Sequence, residues 1–159
     1  MKTTHLLQSL LENRELLRCR RITEHELEST ARSIFPNCYA TWIKSEPFPG
    51  SVLRLSFNND NVHTIRFTLD NKLLTGFSLN AITPSGPAAR RLGETIQCTL
   101  SKSFGLAPQR VTVNDSGSYS WQQSDFEIEV AIHGADALSP HGVLIAFAPI
   151  NSQSHFRTK

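Results

Sequence analysis

Residues 85–105, SGPAARRLGETIQCTLSKSFG, decide the fold more than any other stretch of this chain. Ser85 is suited to cap the N-terminus of a helix, Pro87 suits its first turn, and Gly105 stands where a C-terminal glycine is expected. Between these signals an apolar residue recurs every four positions, at Leu92, Ile96, Leu100 and Phe104. The spacing predicts one long amphipathic helix over 85–104.

Short segments with alternating apolar residues lie on both sides of this helix. They cover 38–45, 51–57, 62–69, 72–79, 109–114, 125–133 and 142–149. Short turns such as Asn58–Asn61 favour antiparallel neighbours. The last segment, GVLIAFAP, is apolar on both faces, which is typical of a central strand. We therefore predict an α+β fold, in which an antiparallel sheet of about six to seven strands carries the long helix.

Two further helices are predicted before the first strand. Leucines at helical spacing indicate a helix over 4–18, which leads into the basic run 18–21, RCRR. Thr23 and Glu26 form the pattern of a capping box, and Ile22 and Leu27 have the spacing of a hydrophobic staple. Residues 1–36 are therefore expected to form a helical hairpin.

Length and composition fit a single globular domain. The chain has 159 residues, of which 39% are hydrophobic, so it can bury a substantial core. We expect one domain over 1–150, made of the hairpin 1–36 and a sheet-plus-helix unit 37–150, followed by a flexible tail 151–159. The net charge is only +2, and therefore does not by itself indicate a polyanionic partner.

The cysteines and the N-terminal residues indicate the cellular compartment of the protein. Cys19, Cys38 and Cys98 are odd in number and widely spaced, which indicates free thiols in a reducing compartment. The opening residues MKTTHLLQSLLENRELL lack the features of a signal peptide, and the sequence contains no apolar stretch long enough to span a membrane. We predict a cytoplasmic protein, or one exported by a dedicated secretion system.

A metal site is the first chemical alternative considered. His133 and His141 lie eight residues apart with Asp136 between them. Zinc sites require three or four ligands at tighter spacing, so the pattern favours a strand end followed by a polar loop. No metal or cofactor is expected.

Catalytic residues are the second alternative. Glu127 and Glu129 share one strand face about 7 Å apart, a range at which two carboxylates can act together. The alternation around them already explains both as the solvent face of a half-buried strand. Cys38 lies in an aromatic strand, where a cysteine usually packs as a small apolar residue. Because no hydrolase or phosphate-loop motif occurs either, we expect no catalytic residue, and an enzyme of unrecognised type remains an alternative that would need a cleft near His63, His133 or the glutamate pair.

Two groups of arginines suggest an alternative function, the binding of a nucleic acid. One group ends the first helix, and the other lies near the N-terminal end of the long helix. The groups are Arg18, Arg20 and Arg21, and Arg90 and Arg91. Basic residues outnumber acidic ones over 37–110, and the reverse holds over 111–159. A polyanion would therefore prefer the middle of the chain.

The first helix suggests a protein partner. Its apolar residues cover more of the helix surface than one narrow stripe would. Leu6, Leu10 and Leu17 can therefore dock on the sheet while Leu7 and Leu11 face another protein. The simpler alternative is that all five belong to the core.

Residues 51–114 also have a recognisable order of elements. Leu53-Arg54-Leu55 is followed by VHTIRFTLDNKLLTGFSLNA, by RRLGETIQCTLSKSFGL and by Val111-Thr112-Val113. This order resembles the C-terminal domain of flagellar hook-length and type III needle-length control proteins. The resemblance implies a non-enzymatic protein that contacts an export apparatus and alters which substrates are secreted. Our leading hypothesis is therefore a non-catalytic protein-interaction or regulatory module, an accessory of a bacterial type III secretion system.

Overall fold

The computed structural model describes residues 3–13, 21–44, 50–58, 62–112, 117–123, 126–133 and 141–149. Within these ranges the helices are α1 (Thr3–Glu12), α2 (Glu24–Ile34) and α3 (Gly86–Phe104). The strands are β1 (Tyr39–Lys44), β2 (Gly50–Asn58), β3 (Val62–Asp70), β4 (Leu73–Ile82), β5 (Arg110–Thr112), β6 (Ser118–Gln122), β7 (Phe126–His133) and β8 (Gly142–Pro149). The predicted tail 151–159 and the predicted helical residues 14–18 lie outside the described residues.

All eight strands join one antiparallel sheet in the order β1-β2-β3-β4-β8-β7-β6-β5. It consists of two four-stranded meanders, β1 to β4 and β5 to β8, that meet where β4 pairs with β8. The predicted α+β class, with a long helix on an antiparallel sheet, is confirmed. Strand β8 is central, as its apolar sequence indicates, and β6 is the strand that the sequence analysis did not predict.

One face of the sheet carries the core. Residues paired from strand to strand form an apolar row across it: Trp42, Leu53, Phe67, Phe77, Phe147, Ile128 and Trp121. At the junction of the two meanders the rings of Phe77 and Phe147 stack with centroids 4.2 Å apart and planes 14° apart. Aromatic pairs of this kind stabilise a fold beyond their buried area. The row therefore ties the two meanders together.

The predicted caps of α2 and α3 are confirmed. The side chain of Ser85 accepts a hydrogen bond from the backbone N–H of Ala88 at 3.2 Å, and Thr23 accepts one from Glu26 at 3.1 Å. Gly105 ends α3 in the left-handed region, with φ of 70°. These caps pair backbone groups that a helix end would otherwise leave open.

Helix α3 packs on β7 and β8 through a closely approaching glycine. Gly93 is buried, and a Cβ built on it would lie 2.5 Å from Cγ1 and Cδ1 of Ile132. A real Cβ does not approach carbon atoms this closely, so any side chain here would push the helix away from the sheet. Close packing explains why a poor helix former stands in the middle of α3.

Replacing Gly93 by alanine is expected to destabilise the protein by about 1–3 kcal/mol, although alanine is the better helix former. Urea denaturation measures the change, with Ser103→Ala on the exposed side of α3 as the control. Adding Ile132→Val should recover part of the loss, because it removes Cδ1, one of the two carbon atoms that clash. A Gly93→Ala variant more stable than wild type would show that the helix does not pack at this distance.

Helices α1 and α2 lie on the same face as α3. Thr3 of α1 hydrogen-bonds to the buried His63 of β3 (Oγ1 to Nε2, 2.7 Å). Trp42 of β1 donates its indole N–H to Glu28 of α2 at 2.8 Å. His63 and Trp42 both lie on the core side of the sheet. In the described part of the chain, the three helices therefore cover one face and leave the other uncovered.

Candidate functional site

The structure assigns the leucines of α1 to the core. Leu7 is 0% exposed and Leu11 is 7% exposed, and the neighbouring Leu6 and Leu10 are buried as well. The prediction that Leu7 and Leu11 face a partner is therefore wrong for the folded protein. Leu17 lies outside the described residues. The alternative, in which the apolar face of the first helix belongs to the core, agrees with the burial of these four leucines.

The structure does not bring the described arginines of the two groups together. Arg21 is exposed and pairs with Leu73, at the start of β4, whereas α3 begins just after the far end of that strand. The length of β4 separates these two points by about 30 Å. Arg18 and Arg20 lie outside the described residues.

Arg90 and Arg91 are exposed on the first turns of α3. They line a shallow cleft of about 430 Å³ with Gly86, Pro87 and Glu94. The carboxylate of Glu94 lies in the same cleft and offsets part of the positive charge that an anion would need. The cleft is therefore a weak site for a phosphate group.

The histidines and glutamates singled out in the sequence lie apart from one another. His63 lies on the helix-covered face of the sheet, and His133, Glu127 and Glu129 lie on the other. His133 contacts the side-chain oxygen of Asn80 at 3.4 Å. Among the described residues, His, Cys, Asp and Glu side chains form no group of three that could hold a metal ion; Asp136 lies outside them.

Cys38 precedes β1 in a shallow cleft of about 480 Å³. Burial raises the pKa of its thiol above the usual value of 9.0, although the positive charge of Arg32 acts in the opposite direction. A thiol with a raised pKa is largely protonated at neutral pH and is a poor nucleophile. Cys38 therefore behaves as a packing residue, in keeping with its place beside the core.

In the described part of the chain, the helices leave the second face of the sheet uncovered. We call it the open face and define it by the outward side chains of seven strands, β1 to β4 and β6 to β8. Its central members are Arg54, Arg66, Ser78, Asn80, Leu144, Ala146, Glu127 and Glu129. Small residues occupy its middle, where β4 and β8 meet.

Arg66 and Glu129 place opposite charges on opposite halves of the open face. Arg54 and Arg66 lie directly opposite each other on β2 and β3, an arrangement of like charges that destabilises a sheet. Glu129 occupies the same row of paired residues on β7, three strands from Arg66. Three strand spacings amount to about 14 Å, beyond the reach of an ion pair.

Over the described ranges, Arg66 and Glu129 form no ion pair, and the buried Nε of Arg54 has no hydrogen-bond acceptor. A buried donor without an acceptor costs free energy. The open face thus carries charges that a contacting molecule could neutralise.

The open face also carries exposed apolar side chains. Of the six large apolar residues that are exposed in the described part of the chain, four lie on it: Tyr39, Ile43, Ile82 and Leu144. Ile82 and Leu144, each 36% exposed, are diagonal neighbours on the two central strands. An antiparallel sheet that faces only water normally shows a polar outer face.

No signal in the sequence sets Arg54 or Arg66 apart from other surface arginines. Both stand at outward positions of alternating strands, which is the ordinary place for a charged residue. Their relation to Glu129 depends on the pairing of β4 with β8, between segments far apart in the sequence. Only the strand order places the three residues in one row.

Comparisons with known proteins give no relative: no family model, no curated protein and no solved structure matches this chain. Over the described residues, none of the helices combines the length and the apolar character needed to cross a membrane.

Proposed function

We propose that this protein acts without catalysis, by binding another protein through the open face of its sheet. The observation that carries the proposal is the combination of surface properties on this face. In the described part of the chain it is uncovered over seven strands, it holds four exposed large apolar side chains, and its Arg66 and Glu129 form no ion pair. Exposed apolar patches with a polar surround are typical of interaction sites.

The placement of the reactive side chains favours binding over catalysis. A catalytic acid, base or nucleophile needs a partner within hydrogen-bonding distance. His63 and His133 lie on opposite faces of the sheet, and Cys38 has a raised pKa. Three clefts formed by described residues are lined by side chains other than these histidines and the glutamates Glu127 and Glu129.

The class of partner follows from the resemblance noted above. Strands β2, β3 and β4, helix α3 and strand β5 supply the order of elements on which the resemblance to hook-length and needle-length control proteins depends. On that basis the partner would be a component of a type III export apparatus, and the protein would be a secretion accessory located in the cytoplasm or exported through that apparatus.

Matched serine substitutions test the proposal. Ser78→Arg places a long side chain in the middle of the open face, and Ser103→Arg makes the same change on the exposed side of α3. Tagged wild-type protein and the Ser103→Arg variant should capture the same protein from native lysate, identified by mass spectrometry. The Ser78→Arg variant should capture it at a much lower level. Equal capture by all three, with circular dichroism showing intact folds, would contradict the proposal.

Nucleic-acid binding is the alternative that the arginine groups suggest. It predicts that nuclease treatment of the lysate abolishes capture, and that affinity for labelled DNA or RNA falls steeply with added salt. Replacing Arg90 and Arg91 by alanine would then weaken binding. If the open face binds a protein, nuclease treatment should leave capture unchanged.

A further inference from the structure

We infer that the occupant of the open face is a second copy of this chain, and that two copies form a face-to-face dimer held by reciprocal Arg66–Glu129 pairs. This inference rests on the proposed role of the open face as a contact surface. It names the molecule that occupies the face in the absence of an export component, which would have to displace the second copy. It follows from the position of the two charges relative to the middle of the sheet.

Strands β4 and β8 are the fourth and fifth of the eight, so the line between them divides the sheet into equal halves. Arg66 on β3 lies one and a half strand spacings to one side of this line. Glu129 on β7 lies the same distance to the other side. Consider a two-fold axis that runs parallel to the strands and lies above this line, between two copies of the sheet. Rotation about it places each half of one copy over the opposite half of the other, and every residue keeps its position along the strand direction.

The heights agree as well. Arg66 pairs with Ser78, Ser78 with Ala146, and Ala146 with Glu129, so the two charges lie in one row across the sheet. Rotation about the axis therefore places Arg66 over Glu129 of the second copy, and Glu129 over its Arg66. Packed sheets lie about 10 Å apart, a gap that an arginine and a glutamate can bridge from opposite sides.

Self-complementarity of this kind is what a two-fold symmetric dimer needs, because each copy presents the same patch. The sequence already shows the asymmetry: the middle of the chain is basic and its end is acidic. Across the sheet, that asymmetry becomes Arg54 and Arg66 on one half and Glu127 and Glu129 on the other. Arg66 and Glu129, the exposed members of these two pairs, thus each gain a counter-charge from the second copy.

The middle of the open face allows close approach. Ser78 and Ala146, next to the axis, have short side chains, and Ile82 and Leu144 supply apolar surface beside them. Twist limits contact to the central strands, as in aligned sheet packing. Four strands offer about 500 Å² per copy, or about 1,000 Å² in total, which suits a reversible dimer of micromolar affinity.

Sedimentation velocity of the full chain tests this inference. Wild type should pass from monomer to dimer between about 1 and about 500 μM, and added sodium chloride should weaken the dimer. Arg66→Glu and Glu129→Arg each turn two attractive pairs into two repulsive ones, so each should weaken dimerisation by at least about tenfold. Lys102→Glu, an exposed charge reversal on α3, should leave it unchanged.

Mixing the two variants distinguishes a contact between copies from an effect within one chain. Arg66→Glu protein carries glutamate at both positions, and Glu129→Arg protein carries arginine at both. An equimolar mixture should therefore form a heterodimer with both pairs satisfied, as tightly as wild type or more so. The double variant, with the charges exchanged, should also dimerise again.

The inference would be overturned if wild type stayed monomeric at all these concentrations. It would also be overturned if both single variants dimerised as well as wild type, or if mixing them failed to restore the dimer. If a charge reversal alters the circular dichroism, Arg66→Gln and Glu129→Gln replace it, and a dimer as strong as wild type in both would equally overturn the inference. These outcomes are independent of the test of the proposed function. That function is contradicted only if the Ser78→Arg and Ser103→Arg variants capture the same amount of protein from lysate.

Discussion

Replacing Phe147 by alanine is expected to lower the free energy of unfolding by about 3–5 kcal/mol. Phe147 is 3% exposed and its ring stacks on that of Phe77 at 4.2 Å, where β8 joins β4. The substitution removes this stack and leaves a cavity at the point where the two meanders are held together. Since domains of this kind are stable by only about 5–15 kcal/mol, the loss is a large fraction of the total. Urea denaturation followed by circular dichroism measures it.

Leu144 provides a matched control for Phe147. It lies on the same strand but points to the open face, where it is 36% exposed. Leu144→Ala should lower the free energy of unfolding by only about 1 kcal/mol, because the side chain keeps about a third of its surface in water and its removal leaves no enclosed cavity. Similar losses for the two variants would mean that the core does not lie on the face described here.

Placing a charge at Leu7 is expected to destabilise the protein by about 4 kcal/mol or more. Leu7 is 0% exposed, and the structure provides no route by which an aspartate there could stay in water without moving α1. Thermal unfolding of Leu7→Asp should therefore show a sharply lowered midpoint or a protein without a cooperative transition.

The neighbouring Gln8 is exposed on the same helix, so Gln8→Asp makes a comparable change without burying a charge. It should alter stability by no more than about 0.5 kcal/mol. A Leu7→Asp protein as stable as Gln8→Asp, but unable to capture its partner, would restore the discarded prediction that α1 binds another protein.

Local signals predicted most of the elements of this fold. The caps at Ser85 and Thr23 act within one helical turn, and alternation marks a strand with one buried face whatever its neighbours are. Strand β6 was not predicted, because Tyr119 and Trp121 are the only apolar residues on its inner face and their neighbours are serines and a glutamine. Two apolar positions are too few to distinguish a strand from a loop.

The candidate site was less predictable, for a different physical reason. The burial of Leu7 and Leu11 depends on where α1 docks, and a leucine-rich helix alone does not say which of its leucines are covered. The row that joins Arg66 to Glu129 depends on the pairing of β4 with β8, and strand order is a tertiary property that alternation does not encode.

The most direct test of the central claim, that the open face is a contact surface, is the rate at which maleimide labels a thiol placed on it. Ser78→Cys puts that thiol in the middle of the open face, and the native Cys98, exposed on α3, serves as an internal control that mass mapping reports separately. Raising the protein concentration, or adding native lysate, should slow labelling at position 78 and leave the labelling of Cys98 unchanged. Labelling at position 78 that stays as fast as in dilute protein under both conditions would contradict the account.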